Sequence, residues 1–280
     1  MSSGPIGTGP AAELANLLRT RRAELQPVDV GLPAGRRRRT PGLRREEVAL
    51  LAAVSPTYYS LLERGRASHP SPQVLDALAS ALRFSDAERD YVHALNAGNE
   101  RPARSPSQPE VLAPGLAQLV DRQDPFPAYV TGRRWDVLAS NRAARLLWTD
   151  WTTIAPENRN MLWWMFTSPQ ARAVFPDWEH EASAQLGRFR AAAARHVGER
   201  EFTELIDRLL SASPQAWEWW LDHDVEALGG GAKCLRHKEL GQIRLDHVVL
   251  QVAGALEQKL VIFTPGADDV RRIADLIERG

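Results

Sequence analysis

Four consecutive guanidinium groups, Arg36, Arg37, Arg38 and Arg39, precede a pair, Arg44 and Arg45, and then Arg64 and Arg66. Arginine at this density does the chemistry of phosphate binding, because a planar fork of N–H donors with permanent charge matches an anionic oxygen pair. Residues 19–66 hold 11 basic and 5 acidic groups, a local positive field that attracts a polyanion. Pro56, Thr57, Ser60 and Leu61 bring short hydroxyls and an apolar end, suited to contacts with base edges. Catalytic and metal-binding patterns are missing. There is no Gly-x-Ser-x-Gly elbow and no phosphate loop, and Gly4, Gly7 and Gly9 follow no strand. Cys234 and His237, three apart on a predicted strand, fall on opposite faces, and His237-x-Glu239 lacks a Pro-Cys-x-x-Cys partner. Asp222-His223-Asp224 reads as a solvated helix end with no nucleophile beside it. The expectation is no catalytic residue, no metal and no enzyme.

Helices must position these side chains. Leu14, Leu17 and Leu18 recur at helical spacing, so Ala11 to Leu25 reads as an amphipathic helix, broken by Pro27, Gly31, Pro33 and Gly35. A helix over Leu43 to Ala53 follows, with Val48, Leu51 and Ala52 on one face. Ser55 is suited to cap the next helix and Pro56 to open it, while Arg64 and Gly65 end it. On a wheel, Ser55, Tyr59 and Leu62 face the core, and Thr57, Ser60, Leu61 and Arg64 face outward. Helices over Pro72 to Leu82 and Ser85 to Ala97 complete a compact five-helix, all-α domain whose tight central turn makes a helix-turn-helix.

The runs Gly42-Leu43-Arg44-Arg45-Glu46-Glu47-Val48-Ala49, Val54-Ser55-Pro56-Thr57-Tyr58-Tyr59 and Leu62-Glu63-Arg64-Gly65 resemble the DNA-binding domain of the Xre-type, Cro and phage-repressor-like regulators over about Ala11 to Gly98. The chain departs from that pattern in two places. Pro56 and Thr57 stand where many relatives begin the recognition helix with Gln, which removes adenine reading by an amide. Arg45 stands where relatives often carry a phosphate-binding Gln. Double-stranded DNA is therefore the expected partner. Arg36 to Arg39, Arg44 and Arg66 neutralise phosphates in this reading, with Arg45 able to do the same, while Thr57, Ser60 and Leu61 read the sequence and Pro56 and Arg64 share their face toward the base edges. One such helix spans few base pairs, so a homodimer on a palindromic site is expected.

The chain has 280 residues, 35 basic and 35 acidic, 44% apolar, and its single cysteine is Cys234. This excludes wholesale disorder and an internal disulfide framework. No apolar run is long enough for a membrane span, and Met1 to Pro10 lacks the pattern of a secretory signal, so a cytoplasmic protein is expected. The zero net charge hides a split at the Pro/Ser-rich stretch Arg101 to Pro109. Residues 1–104 hold 15 Arg, no Lys and 11 acidic groups, and all nine Trp lie beyond it. The expected division is a flexible 1–10, a helix-turn-helix domain over 11–98, a linker over 99–112 and a second domain over 113–280. In the second domain, short strands over Phe126 to Thr131 and Arg134 to Ser140 flank a turn at Gly132. Helices follow over Asn141 to Trp148, Asn158 to Phe166, Trp178 to His196, Glu199 to Ala212 and Pro214 to His223. Strands over Lys233 to Glu239, Gln242 to Val252 and Lys259 to Thr264 and a helix over Asp268 to Arg279 then suggest an α+β domain with an antiparallel sheet.

Gly132 to Leu138 with Asn141-Arg142-Ala143-Ala144, Arg159-Asn160-Met161-Leu162, Trp178-Glu179, Trp217 to Val225, and Arg236-His237 with Gly241 to Leu245 look like the MmyB-type ligand-binding domain. That family couples an Xre-like head to a PAS-like domain, so the resemblance implies a transcription regulator that senses a hydrophobic small molecule such as a fatty acid, with no other cofactor. Lys238 departs from it, standing where the family usually has Pro after His. The expected lining of a pocket is Trp135, Trp148, Trp163, Trp164, Phe166, Phe175, Phe189 and Trp217, with Arg134, Asn141 or His237 as polar anchors. The alternative is a DNA-binding protein whose second half recruits another protein and holds no ligand.

Overall fold

The computed structural model describes residues 9–33, 42–67, 69–98, 110–222, 224–227 and 229–279. The helices in chain order begin with α1 (Pro10–Glu24), α2 (Arg45–Leu51), α3 (Pro56–Glu63), α4 (Pro72–Ala81), α5 (Asp86–Gly98) and α6 (Leu116–Asp121). Strands β1 (Ala128–Thr131) and β2 (Val137–Ser140) precede α7 (Arg142–Leu147), α8 (Met161–Thr167), α9 (Pro169–Val174), α10 (Trp178–Ala193), α11 (Arg200–Ala212) and α12 (Pro214–Leu221). Then come β3 (Gly231–His237), β4 (Gly241–Val252), β5 (Ala255–Pro265) and α13 (Ala267–Arg279). No helix among the described residues is long and apolar enough to cross a membrane.

Contacts divide the chain into two compact units. The first takes the described residues of Met1–Pro106 together with Gly187–Arg208 and Glu218–Ala227; the second takes those of Ser107–Leu186, Leu209–Trp217 and Leu228–Gly280. A single cut at the Pro/Ser-rich stretch therefore does not describe the units, because two later segments complete the first one's core.

In the first unit, Leu14, Leu17 and Leu18 of α1 are buried against Val48 and Ala49 of α2, Tyr59 and Leu62 of α3, Leu75 and Leu78 of α4, and Tyr91, Val92 and Leu95 of α5. Ala194 and Val225 belong to the same cluster. Gly42 brings α2 against the end of α1. At φ +80° it sits where a Cβ would fall 2.4 Å from the Arg22 carbonyl oxygen, and the next amide, Leu43 N–H, donates to that oxygen at 2.8 Å. The Ser55 Oγ accepts the Tyr58 N–H at 3.1 Å and so caps α3, while Gly65 at φ +63° turns the chain away after it.

The second unit is an α+β assembly on a five-stranded antiparallel sheet of order β2-β1-β5-β4-β3. Ile243 and Leu245 of β4 are buried while Gln242, Arg244 and Asp246 are exposed, the period-two signature of a sheet with one wet face. Leu116 and Val120 of α6 pack on Ala128, Val130 and Leu260. Three expected boundaries shift by three residues or more. β2 starts at Val137 rather than Arg134, because buried Trp135 adopts φ +67° in a turn closed by the Gly132 N–H on the Asp136 carbonyl, and a left-handed residue cannot continue a strand. α8 starts at Met161, where the Asn160 Oδ1 accepts the Leu162 and Trp163 amides. β5 extends back to Ala255, and α9, capped by Ser168, forms where no helix was expected.

Candidate functional site

The outward face of α3 is as the wheel places it. Tyr59 and Leu62 are 0% and 1% exposed, whereas Pro56, Thr57 and Arg64 are exposed, Leu61 is 38% exposed and Ser60 is half-buried. Ser55, assigned to the core face, is instead exposed, since its hydroxyl is turned to the helix N-terminus as a cap. Arg44, Arg45 and Arg66 are exposed as well. Arg36 to Arg39 lie outside the described residues.

Beside α3 runs a groove of about 420 Å³ lined by Arg19, Arg45, Arg64 and Arg66 together with Ala12, Ala15, Asn16 and buried Glu63. The sequence reading counts Arg19 in the basic stretch but assigns it no DNA contact. Arg19 stands six residues after Glu13 on α1, and only the pairing of α1 with α3 brings it to this groove.

Glu63, 2% exposed, is the electrostatic centre of the unit. Its carboxylate accepts from Arg22 of α1 and, at 2.5 Å, from the Arg45 Nε of α2, while the Arg22 guanidinium also donates to the Leu43 carbonyl at 2.9 Å. Burial works against the charge of Glu63, but these guanidinium bonds outweigh it and hold the carboxyl below its ordinary value. The Tyr59 hydroxyl is buried next to it, and burial together with the Glu63 charge pushes that phenol far up. One carboxylate thus ties α1, α2 and the end of α3 together. Arg45, read from sequence as a phosphate ligand, commits one nitrogen to this hub while its side chain stays 44% exposed. Arg21, in the same helix turn, pairs with buried Glu88 of α5.

In the second unit the expected pocket residues separate into several groups. Trp148 meets Tyr129 edge-on at 6.2 Å and Phe263 at 4.8 Å between ring centroids. Phe175 meets Trp164, which in turn meets Trp151, and Phe166 meets Trp178 with Arg172 stacked over it. Trp135 is buried with the Lys259 Nζ 5.8 Å from its ring centre. Trp163 is half-buried on α8, and Trp217 is 40% exposed. Phe189 belongs to the first unit, where it stacks on Phe202.

The three polar anchors are held by the fold. Asn141, 0% exposed, accepts the Ala128 and Ala144 amides and donates to the Phe126 carbonyl at 2.8 Å. Arg134 clasps Asp136 through two bonds of 3.0 and 3.3 Å. The His237 Nδ1 accepts the Glu239 and Leu240 amides at 3.3 and 3.4 Å, a turn formed with Lys238 in place of Pro, and burial draws its pKa below the ordinary value. Trp164, of the same expected aromatic set, is buried among aromatic rings, and its indole N–H meets no hydrogen-bond acceptor among the described residues. No group of three or more His, Cys, Asp or Glu among the described residues could hold a metal ion.

Two family models match the chain. Residues 13–92 match a helix-turn-helix domain, which agrees with the five-helix head, and residues 112–276 match the MmyB-like transcription regulator ligand binding domain. No curated protein matches. The second model spans more than half of the sequence, and the chain therefore belongs to the family of the MmyB-like transcription regulator ligand binding domain, joined here to a helix-turn-helix head.

Proposed function

We propose that this ligand-sensing transcription regulator binds double-stranded DNA by placing α3 in the major groove, with Thr57, Ser60 and Leu61 at the base edges. Pro56 lies at the leading end, and Arg44, Arg45, Arg64 and Arg66 sit on the flanking phosphates, together with Arg36 to Arg39 of the basic run. The observation that carries this reading is the two-sided character of α3, buried at Tyr59 and Leu62 and exposed at Thr57, Leu61 and Arg64, beside a groove with four guanidinium groups at its rim. Arg19 joins the phosphate-binding set. The protein acts in the cytoplasm as a homodimer on a palindromic site. Selection of duplexes from a random pool tests the reading: the unmodified chain should enrich one sequence, and Thr57→Ala should relax it at one position. Enrichment of no sequence overturns it.

The second unit takes a hydrophobic small molecule of the fatty-acid kind, which shifts DNA affinity through unequal binding to DNA-competent and incompetent states. The concentration of buried aromatic rings supports this, with Trp135, Trp148, Trp163, Phe166 and Phe175 nearest the ligand and the N–H of Trp164 as a donor to its polar end. Native mass spectrometry of the purified chain should show a co-purified lipid. A protein-recruitment module is the second reading, favoured by Val248, Leu250 and Leu256, which stand 48%, 49% and 67% exposed on β4 and β5. Lipid-free protein with unchanged DNA affinity after lipid addition would leave that reading standing.

A further inference from the structure

Residues 187–208 and 218–227 fall inside the ligand-binding family match, yet they complete the core of the first unit. Their polar anchor is Arg190 on α10, 2% exposed. Its Nη1 donates to the Glu13 Oε2 of α1 at 3.1 Å, its other terminal nitrogen donates to the Trp220 carbonyl, and the guanidinium lies 4.0 Å from the centre of the Trp220 ring. The same Glu13 oxygen accepts the Tyr91 hydroxyl of α5 at 2.9 Å. Burial and the Glu13 charge push that phenol well up, so it stays a donor at any physiological pH.

An apolar trio of similar volume would hold such a core at least as well, because taking a guanidinium and a carboxylate out of water costs free energy that their attraction only partly returns. What the ion pair adds is geometry. A fork of donors satisfied on three sides admits one placement of α10 against α1. At its other end the same helix α1 is held through Arg22 to Glu63, the last residue of α3. A single helix therefore carries a buried ion pair to the returning segment near its start and one to the recognition helix near its end.

We propose that Arg190 is a positioning residue for DNA binding: through Glu13 it fixes α1, and through α1 the recognition helix, so that residues 187–208 and DNA report on one another. This rests on the DNA-binding reading above. Linkage makes the effect reciprocal, so DNA on α3 must alter the segment that holds Arg190.

Hydrogen exchange of the full chain, with and without a duplex carrying a selected site, tests it. DNA should slow exchange in 56–63 and also in 187–208, while 241–252 in the sheet keeps its rate. In Arg190→Met, DNA should still slow 56–63 but no longer 187–208, with affinity lower by about tenfold; Arg190→Lys, which keeps the charge, should recover part of the response. A response in 187–208 of equal size in Arg190→Met overturns the proposal. So does a duplex that slows 56–63 of the unmodified chain and leaves 187–208 untouched, a result that needs no variant to fold. Exchange in 56–63 that ignores DNA overturns the DNA-binding reading and this inference with it.

Discussion

Glu63→Gln removes the carboxylate that faces Arg22 and Arg45, and the cost follows from what each of them can do afterwards. The Arg45 side chain, 44% exposed, regains water, whereas that of Arg22, 17% exposed, does not. Taking away one partner of a buried ion pair costs about 3–5 kcal/mol, most of it from the charge left behind. Arg22 keeps its bond to the Leu43 carbonyl and Gln still accepts one hydrogen bond, which sets the expected loss at the low end, about 3 kcal/mol. For a folded body of this size, about 2–4 °C of melting temperature per kcal/mol gives a fall of roughly 6–12 °C. Calorimetry of the full chain, with equilibrium urea unfolding beside it, reads this directly. Arg45→Met should cost under about 1 kcal/mol in the same assay, as exposed pairs do. A Glu63→Gln loss below about 1 kcal/mol would refute the reasoning, since Arg22 would then have no need of its carboxylate.

The remaining expectations concern acid, salt and the second unit. Because the folded-state carboxyl of Glu63 lies below its ordinary 4.5, its contribution is complete above that value and disappears as pH falls through the folded value; an acid-unfolding curve of Glu63→Gln should lack this component. Arg64→Ala and Arg66→Ala should each reduce the slope of log K against log salt by about 0.9 without changing the selected sequence. A change in sequence preference would remove them from the phosphate set. Asn141→Ala strands two buried amides and a carbonyl, and at about 1–3 kcal/mol for each buried group it should cost several kcal/mol in the unfolding of the second unit. Retention of wild-type stability would mean that those groups find other partners.

Much of the head was legible in sequence because local rules act alone there: Ser55, Pro56 and Gly65 mark the ends of α3, and the 3.6-residue period sorts Tyr59 and Leu62 from Thr57 and Leu61. The hub was hidden. Glu63 and Arg64 are adjacent and look alike as charged residues at a helix end, yet one is buried and the other exposed; the difference comes from Arg22, forty-one positions earlier, which no local window contains. The place of Arg19 beside α3 was hidden for the same reason. In the second half, the antiparallel sheet followed from alternation in β4, but Trp135 misled because its left-handed backbone is imposed by the turn and by the Met161 amide bonding its carbonyl. Asn141 looked like a ligand anchor because a buried amide suits either task, and only its three backbone partners tell them apart.

The Arg190 to Glu13 contact joins residues 177 positions apart, and Val225 lies in the same core as Leu14. Synthesis runs from the N-terminus at about 5–20 residues per second, so once α5 has been made the head waits on the order of ten seconds for its last pieces. During that interval the carboxylate of Glu13 can meet Tyr91 but not Arg190. The first unit thus receives its last core segments only after most of the second half has been translated, and a ribosome stalled between the two holds a head that has yet to be completed.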